Sequence, residues 1–439
     1  MADSKEHLNG EYTVPKGAGP LDPEPEKLAR KRIDSIDLLR GIVMVVMMLD
    51  HTRDFVHMGA FTFDPTDMTR TTVPLFFTRW ITHYCAPVFV FLAGTGAYLQ
   101  LARGKSKSSL SRFLISRGLW LILLELTVVR FGVFFSADYR FLAFLQVIWV
   151  IGISMIVLAG LVHLPLKVTA TFGVAMIFLH NLLDRIQVTG WRGPGTPIPS
   201  VWSKLWILLH QPFSPFPVLP VLSPVVVAIY NIIPWVGVMA VGFAFGALML
   251  RPDRRRWILT LGIGATVLFF LLRGLNVYGN GIAGLSFGYP YSAGPWSVQP
   301  TLSLTVISFF NVLKYPPSLD YLLVTLGPVL ILLGLLDGAK AASGLSRILM
   351  VFGRVPLFYY LLHIYLVHIL ANLAALAFHQ TIWHGTVIAD FAQKPPGYGH
   401  GLPFVYAVWI LAVALLYMPC LWFMKLRSRH RDWAWLSYL

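Results

Sequence analysis

The chain has 439 residues, 56% of them hydrophobic and only 13% charged, with a mean hydropathy of +0.67. Soluble domains carry roughly 25% charged residues, so disordered, fibrous, disulfide-scaffold and soluble-enzyme classes are excluded. The excess of 35 Lys and Arg over 20 Asp and Glu gathers beside apolar runs, as the positive-inside rule produces, and no nucleic-acid partner is expected. The composition predicts an all-α polytopic membrane protein with lipid as its surroundings.

A polar N-terminal stretch shows no cleavable leader, and the first apolar run after Arg30, Lys31 and Arg32 reads as an uncleaved first span. About ten spans follow from the apolar runs. They fall at 36–56, 77–101, 113–135, 141–161, 168–183, 232–250, 257–272, 321–336, 349–376 and 404–423. Two long segments rich in Gly, Pro and aromatics separate the fifth from the sixth and the seventh from the eighth. The domain reading is a polar tail at 1–32, a transmembrane domain at 33–425 and a basic tail at 426–439.

Basic residues alternate from turn to turn: Arg103, Lys105, Lys107 and Arg112, then Lys167, then Arg251, Arg254, Arg255 and Arg256, then Lys340 and Arg347. Lys425, Arg427, Arg429 and Arg431 close the chain. One orientation accommodates all of them, with both termini cytoplasmic. Cys85 and Cys420 sit singly in apolar runs and form no framework.

Ionisable side chains in hydrocarbon cost about 2.5–3.5 kcal/mol each on the insertion scale, so each needs a partner or a task. The first span carries Asp37, Arg40, Asp50 and His51, with Arg53 and Asp54 just after. Eleven steps of ~100° bring His51 to within ~20° of the face of Arg40, roughly 16 Å further along the helix. Arg40 therefore belongs near one membrane surface and His51 near the other. Arg79 and His83 are one turn apart and could share a cavity. Glu125 and Arg130 read as a structural pair. His363 and His368 are five apart, not the four that set two side chains on one face, and no metal is expected.

Arg32-Ile33-Asp34-Ser35-Ile36-Asp37-Leu38-Leu39-Arg40-Gly41, entering a first span, resembles the start of the transmembrane acyltransferases. The Arg40–His51 spacing is similar to the signature of the acyltransferase-3 family. Arg79-Trp80-Ile81-Thr82-His83, Ala86-Pro87-Val88-Phe89, Ile233-Pro234-Trp235-Val236-Gly237, Lys314-Tyr315-Pro316-Pro317-Ser318 and Gly353-Arg354-Val355-Pro356 look more like bacterial relatives of the heparan-alpha-glucosaminide N-acetyltransferase catalytic domain. The resemblance runs through most of the chain from Arg32 on.

That resemblance implies a multi-pass enzyme of the plasma (bacterial inner) membrane. It would use cytosolic acetyl-CoA or another acyl-CoA as co-substrate and deliver the acyl group to a sugar or glycan on the far side. Its catalytic group would be His51 or His57, with Asp50 or Asp54 orienting the imidazole. In the lysosomal branch the histidine lies further into the loop, which leaves both open; depth and face favour His51. On the coenzyme side the expected residues are Arg40, Arg79, His83, Lys314, Arg354 and His363. Direct and ping-pong transfer are both open, as are the acceptor and the oligomeric state. A proton-coupled transporter is the competing reading; it predicts internal repeats, and none is visible.

Overall fold

The computed structural model describes residues 32–60, 62–138, 143–193, 195–218, 225–282, 284–286, 289–291, 293–338, 344–383, 394–430 and 432–438. The polar tail up to residue 31, Lys340 and Arg431 of the charge reading, and the start of the expected fourth span at 141 lie outside these residues.

The fold is mostly helical. Among the described residues, six stretches are long and apolar enough to cross a membrane: Val73–Ala102, Leu166–Arg185, Arg254–Leu275, Leu319–Leu336, Pro356–Ala377 and Leu402–Arg429. Helix α1 (Asp34–Val56) coincides with the expected first span, but its acidic and basic residues keep it out of that set. Helices α2 (Val73–Ile81) and α3 (Cys85–Ala102) run on through a single 3-10 turn, Thr82–Tyr84. Pro87 explains the turn: it has no N–H for the carbonyl four residues back, that of His83. The Tyr321 hydroxyl donates to that oxygen instead, at 2.7 Å.

Helix α4 (Lys107–Leu124) passes through a π-helical segment, Glu125–Val129, into α5 (Arg130–Phe134). The expected Glu125–Arg130 pair takes a different form. Glu125 accepts the Trp149 backbone N–H at 3.1 Å, and Arg130 donates to the Ser136 carbonyl at 2.7 Å and to that of Asp138. A short strand, β1 (Ala143–Leu145), precedes α6 (Val147–Leu161) and α7 (Leu166–Leu179).

The first long segment is not all loop. It holds α8 (Val201–Leu209), β2 (Pro215–Pro217) and β3 (Val225–Ala228). Strand β3 pairs in parallel with β1, Phe144 opposite Val227, and antiparallel with β2, Phe216 opposite Val226. The mostly helical fold thus carries a few short strands besides: a three-valine run suits a short pleated strand buried on both sides. Helices α9 (Ile232–Leu248) and α10 (Arg254–Leu275) follow. The second long segment pairs β4 (Gly284–Ser286) with β5 (Tyr289–Tyr291) and adds α11 (Leu302–Phe310) before α12 (Leu319–Leu336).

The expected ninth span, 349–376, is two helices, α13 (Gly344–Arg354) and α14 (Pro356–Ala377). Pro356 stands in the first turn of α14, and proline disfavours helical backbone in the residue before it; Val355 accordingly leaves the helical region, at φ −130° and ψ 50°. Helix α15 (Leu402–Arg429) ends the bundle. Helix α1 packs on α13, α14 and α15. At the crossing with α13, a Cβ on Gly41 would fall 1.9 Å from the Leu349 carbonyl oxygen, and one on Gly353 1.8 Å from that of Asp37. Only glycine permits this backbone approach, and it sets the position of Arg40.

Candidate active site

Two cavities open along α1, one toward each end. The first, of about 380 Å³, surrounds the N-terminal half of α1. Six arginines line it: Arg32, Arg40, Arg103, Arg117, Arg354 and Arg427, with no carboxylate among the described lining residues. Arg40 reaches the Gly353 carbonyl at 3.2 Å and the Asp37 carboxylate at 3.3 Å. Buried Asp37 also pairs with Arg32 and lies 3.7 Å from Arg354. Asp37 thus holds three guanidiniums at the cavity without facing it. Such a concentration of planar, always-charged donors suits a polyanion, phosphate above all.

The second cavity, of about 190 Å³, lies at the C-terminal half of α1 and has a mixed lining. It contains His51, the carboxylates Asp50, Asp54 and Asp64, the cations Arg53, Arg79 and Lys314, and the phenols Tyr230, Tyr315 and Tyr360. Its wall includes Phe144 of β1, Phe213 before β2 and Ile229 after β3, so the small sheet helps to enclose it. Asp50 is held by Arg79 at 2.6 Å and Arg53 at 3.0 Å; Asp54 pairs with Arg53 and stands 4.0 Å from His51 Nδ1. The His51 ring faces His363, centroid to centroid 5.0 Å.

The cavities share three lining residues: Phe89 of α3, Val147 of α6 and Tyr360 of α14. These form the partition between the arginines and His51.

The structure divides the expected site residues. Arg40 and Arg354 line the arginine cavity. Arg79 and Lys314, expected with the coenzyme, line the histidine cavity instead, because the 3-10 turn and the α12 approach both lie at that end. His363 supports His51 from behind. His83 packs its ring 5.4 Å from Tyr321 and is not among the described lining residues of either cavity. His57 caps α1: its backbone N–H donates to the Arg53 carbonyl at 2.9 Å, and its Nδ1 accepts the Gly59 N–H at 3.1 Å. It lines neither cavity among the described residues. Beyond the end of α1, burial, then Arg53 and Lys394, push the His57 imidazole down to about 4. Arg117 and Arg427 were missed. The signal for Arg117 was an arginine inside an otherwise apolar run; Arg427 looked like part of a basic tail.

Two cavities, one lined by arginines and one of mixed charge around His51, lie end to end along one charged helix of a membrane protein. Residues 32–276 match the family heparan-alpha-glucosaminide N-acetyltransferase, catalytic. The match covers more than half of the chain, which belongs to that family. No curated protein matches it.

Proposed function

We propose that the protein is an acetyl-CoA-dependent membrane acetyltransferase with ten spans and both termini in the cytoplasm, where the arginine cavity opens. The coenzyme phosphates bind the arginines, with Arg40 as the inner one. The pantetheine arm passes Phe89, Val147 and Tyr360 and presents the thioester at His51. A sugar or glycan acceptor enters the histidine cavity from the far side, where Tyr315, Arg79 and Lys314 offer hydroxyl, guanidinium and ammonium contacts.

His51 takes the proton from the acceptor amine or hydroxyl as its N or O attacks the thioester carbonyl. The carbon–sulfur bond then breaks, and the leaving thiolate takes the proton back from the imidazolium. Asp54 supports the transient positive charge at 4.0 Å. The observation that carries this reading is the sharing of Phe89, Val147 and Tyr360 by the two cavities. It supports passage over the ~16 Å between Arg40 and His51.

The test uses proteoliposomes with acetyl-labelled acetyl-CoA supplied on the arginine side and glucosamine-containing oligosaccharides inside. Label joined covalently to the enclosed sugar is the expected result. Free labelled acetyl-CoA or acetate inside, with the sugar unmodified, would make the protein a transporter.

A further inference from the structure

His180 and Asp184 belong to a 3-10 segment, His180–Arg185, that follows α7, and His210 ends α8. All three are buried, His180 and His210 at 2% exposure and Asp184 at 6%. One ligand atom from each lies within 4.8 Å of the others. His210 Nε2 stands 2.8 Å from Asp184 Oδ1. The other Asp184 oxygen accepts from Asn181 Nδ2 at 2.9 Å. The His180 ring lies 5.8 Å from that of His210, centroid to centroid.

A hydrogen-bonded His210–Asp184 pair would account for two of these residues and leave the third unexplained. Neither His180 Nδ1 nor Nε2 has a hydrogen-bond partner among the described residues, and His210 Nδ1 has none either. Buried polar atoms are nearly always satisfied, by protein, water or an ion. An imidazole with both nitrogens orphaned, beside a second imidazole and a carboxylate, is the arrangement a cation would complete.

We propose that His180, Asp184 and His210 bind a divalent transition metal, zinc by preference. Two imidazoles and one carboxylate suit zinc, whereas calcium and magnesium require oxygen ligands. In a tetrahedral zinc site, bonds of 2.0–2.2 Å set ligand atoms roughly 3.3 Å apart, so the His210–Asp184 pair, now at 2.8 Å, would open and the remaining separations, within 4.8 Å, would close. Coordination through His210 Nε2 requires the neutral tautomer with its proton on Nδ1. Water completes the fourth position.

The site would pin the roof of the histidine cavity. His210 is three residues before Phe213, whose ring meets Tyr315 at 5.2 Å, and both line that cavity. Asn181, held by Asp184, accepts the Leu319 backbone N–H at 2.9 Å through Oδ1, fixing the first turn of α12 just past Lys314 and Tyr315. One ion would tie the segment after α7 to the end of α8, and Asn181 would carry that anchorage on to α12.

The experiment measures metal by mass spectrometry in the full chain, purified with its affinity tag removed and then dialysed against ZnCl2. About one zinc per chain is expected, falling below about a tenth in His180→Gln and in Asp184→Asn. Cobalt added to the metal-free protein should give the visible bands of a four-coordinate site, absent from both variants. Wild-type protein that retains no zinc overturns the proposal, whether or not the variants fold. Cobalt bands undiminished in both variants would place any metal elsewhere and overturn it equally. Neither measurement depends on acetyl transfer.

Discussion

His51 and His363 face one another across the α1–α14 contact, their ring centroids 5.0 Å apart and their planes at 56°. His363 is wholly buried, with Nδ1 directed to the Tyr360 carbonyl and Nε2 without a partner among the described residues. It limits where the His51 ring can lie, which in the proposed reaction makes it a positioning residue.

His51→Ala is expected to reduce acyl transfer by ~10²–10⁴-fold, the contribution typical of a general base, while acyl-CoA binding persists. His363→Phe keeps the ring and removes its nitrogens; it should lower kcat while leaving the KM for acyl-CoA within twofold. Steady-state kinetics in detergent separates the two effects. Unchanged kcat in both variants would remove this pair from the reaction.

His57 gives the pH test. With its imidazole pushed down to about 4, it stays neutral from pH 5 to 8 and contributes no titration there. His57→Gln should therefore leave the midpoint of the pH–rate profile in place. A midpoint displaced by His57→Gln, with His51→Ala still active, would transfer the base to residue 57.

Arg117 and Arg40 test the proposed binding of the coenzyme in the arginine cavity. Hydrogen bonds to charged groups contribute roughly 1.5–3 kcal/mol, so Arg117→Ala should weaken acyl-CoA binding by about ten-fold or more. Arg40→Lys keeps the charge but loses the planar fork and should weaken it less. Calorimetric titration with acetyl-CoA reads both, and the KM for the acceptor should not move.

Val147→Trp tests the partition. Val147 lines both cavities, and an indole there should block the pantetheine arm without touching the arginines. Acetyl-CoA binding is expected to remain within a few-fold while transfer falls below detection. Normal turnover in this variant would mean that the thioester reaches His51 by another route.

Gly353→Val tests the helix crossing. A side chain there meets the Asp37 carbonyl oxygen at 1.8 Å, backbone that cannot step aside. Overpacking of this kind typically costs 1–3 kcal/mol; a lower Tm by intrinsic fluorescence is expected, together with weaker acyl-CoA binding as Arg40 is displaced.

The sequence by itself determined the membrane class, most helix positions and the alignment of Arg40 with His51. Those properties are local: hydropathy reports burial in lipid, and a helical period relates residues on the same helix. It also carried the break at Val355-Pro356, although a continuous apolar run concealed it. Only the tertiary structure decided which charges share a cavity. Arg117 joins Arg40 and Arg427, and Lys314 and Arg79 join His51, through packing between helices far apart in the chain, on which periodicity is silent. The same limit hid His180, Asp184 and His210. Their spacing follows no local metal motif, and only the folding of α8 back over the end of α7 brings the second imidazole to the first.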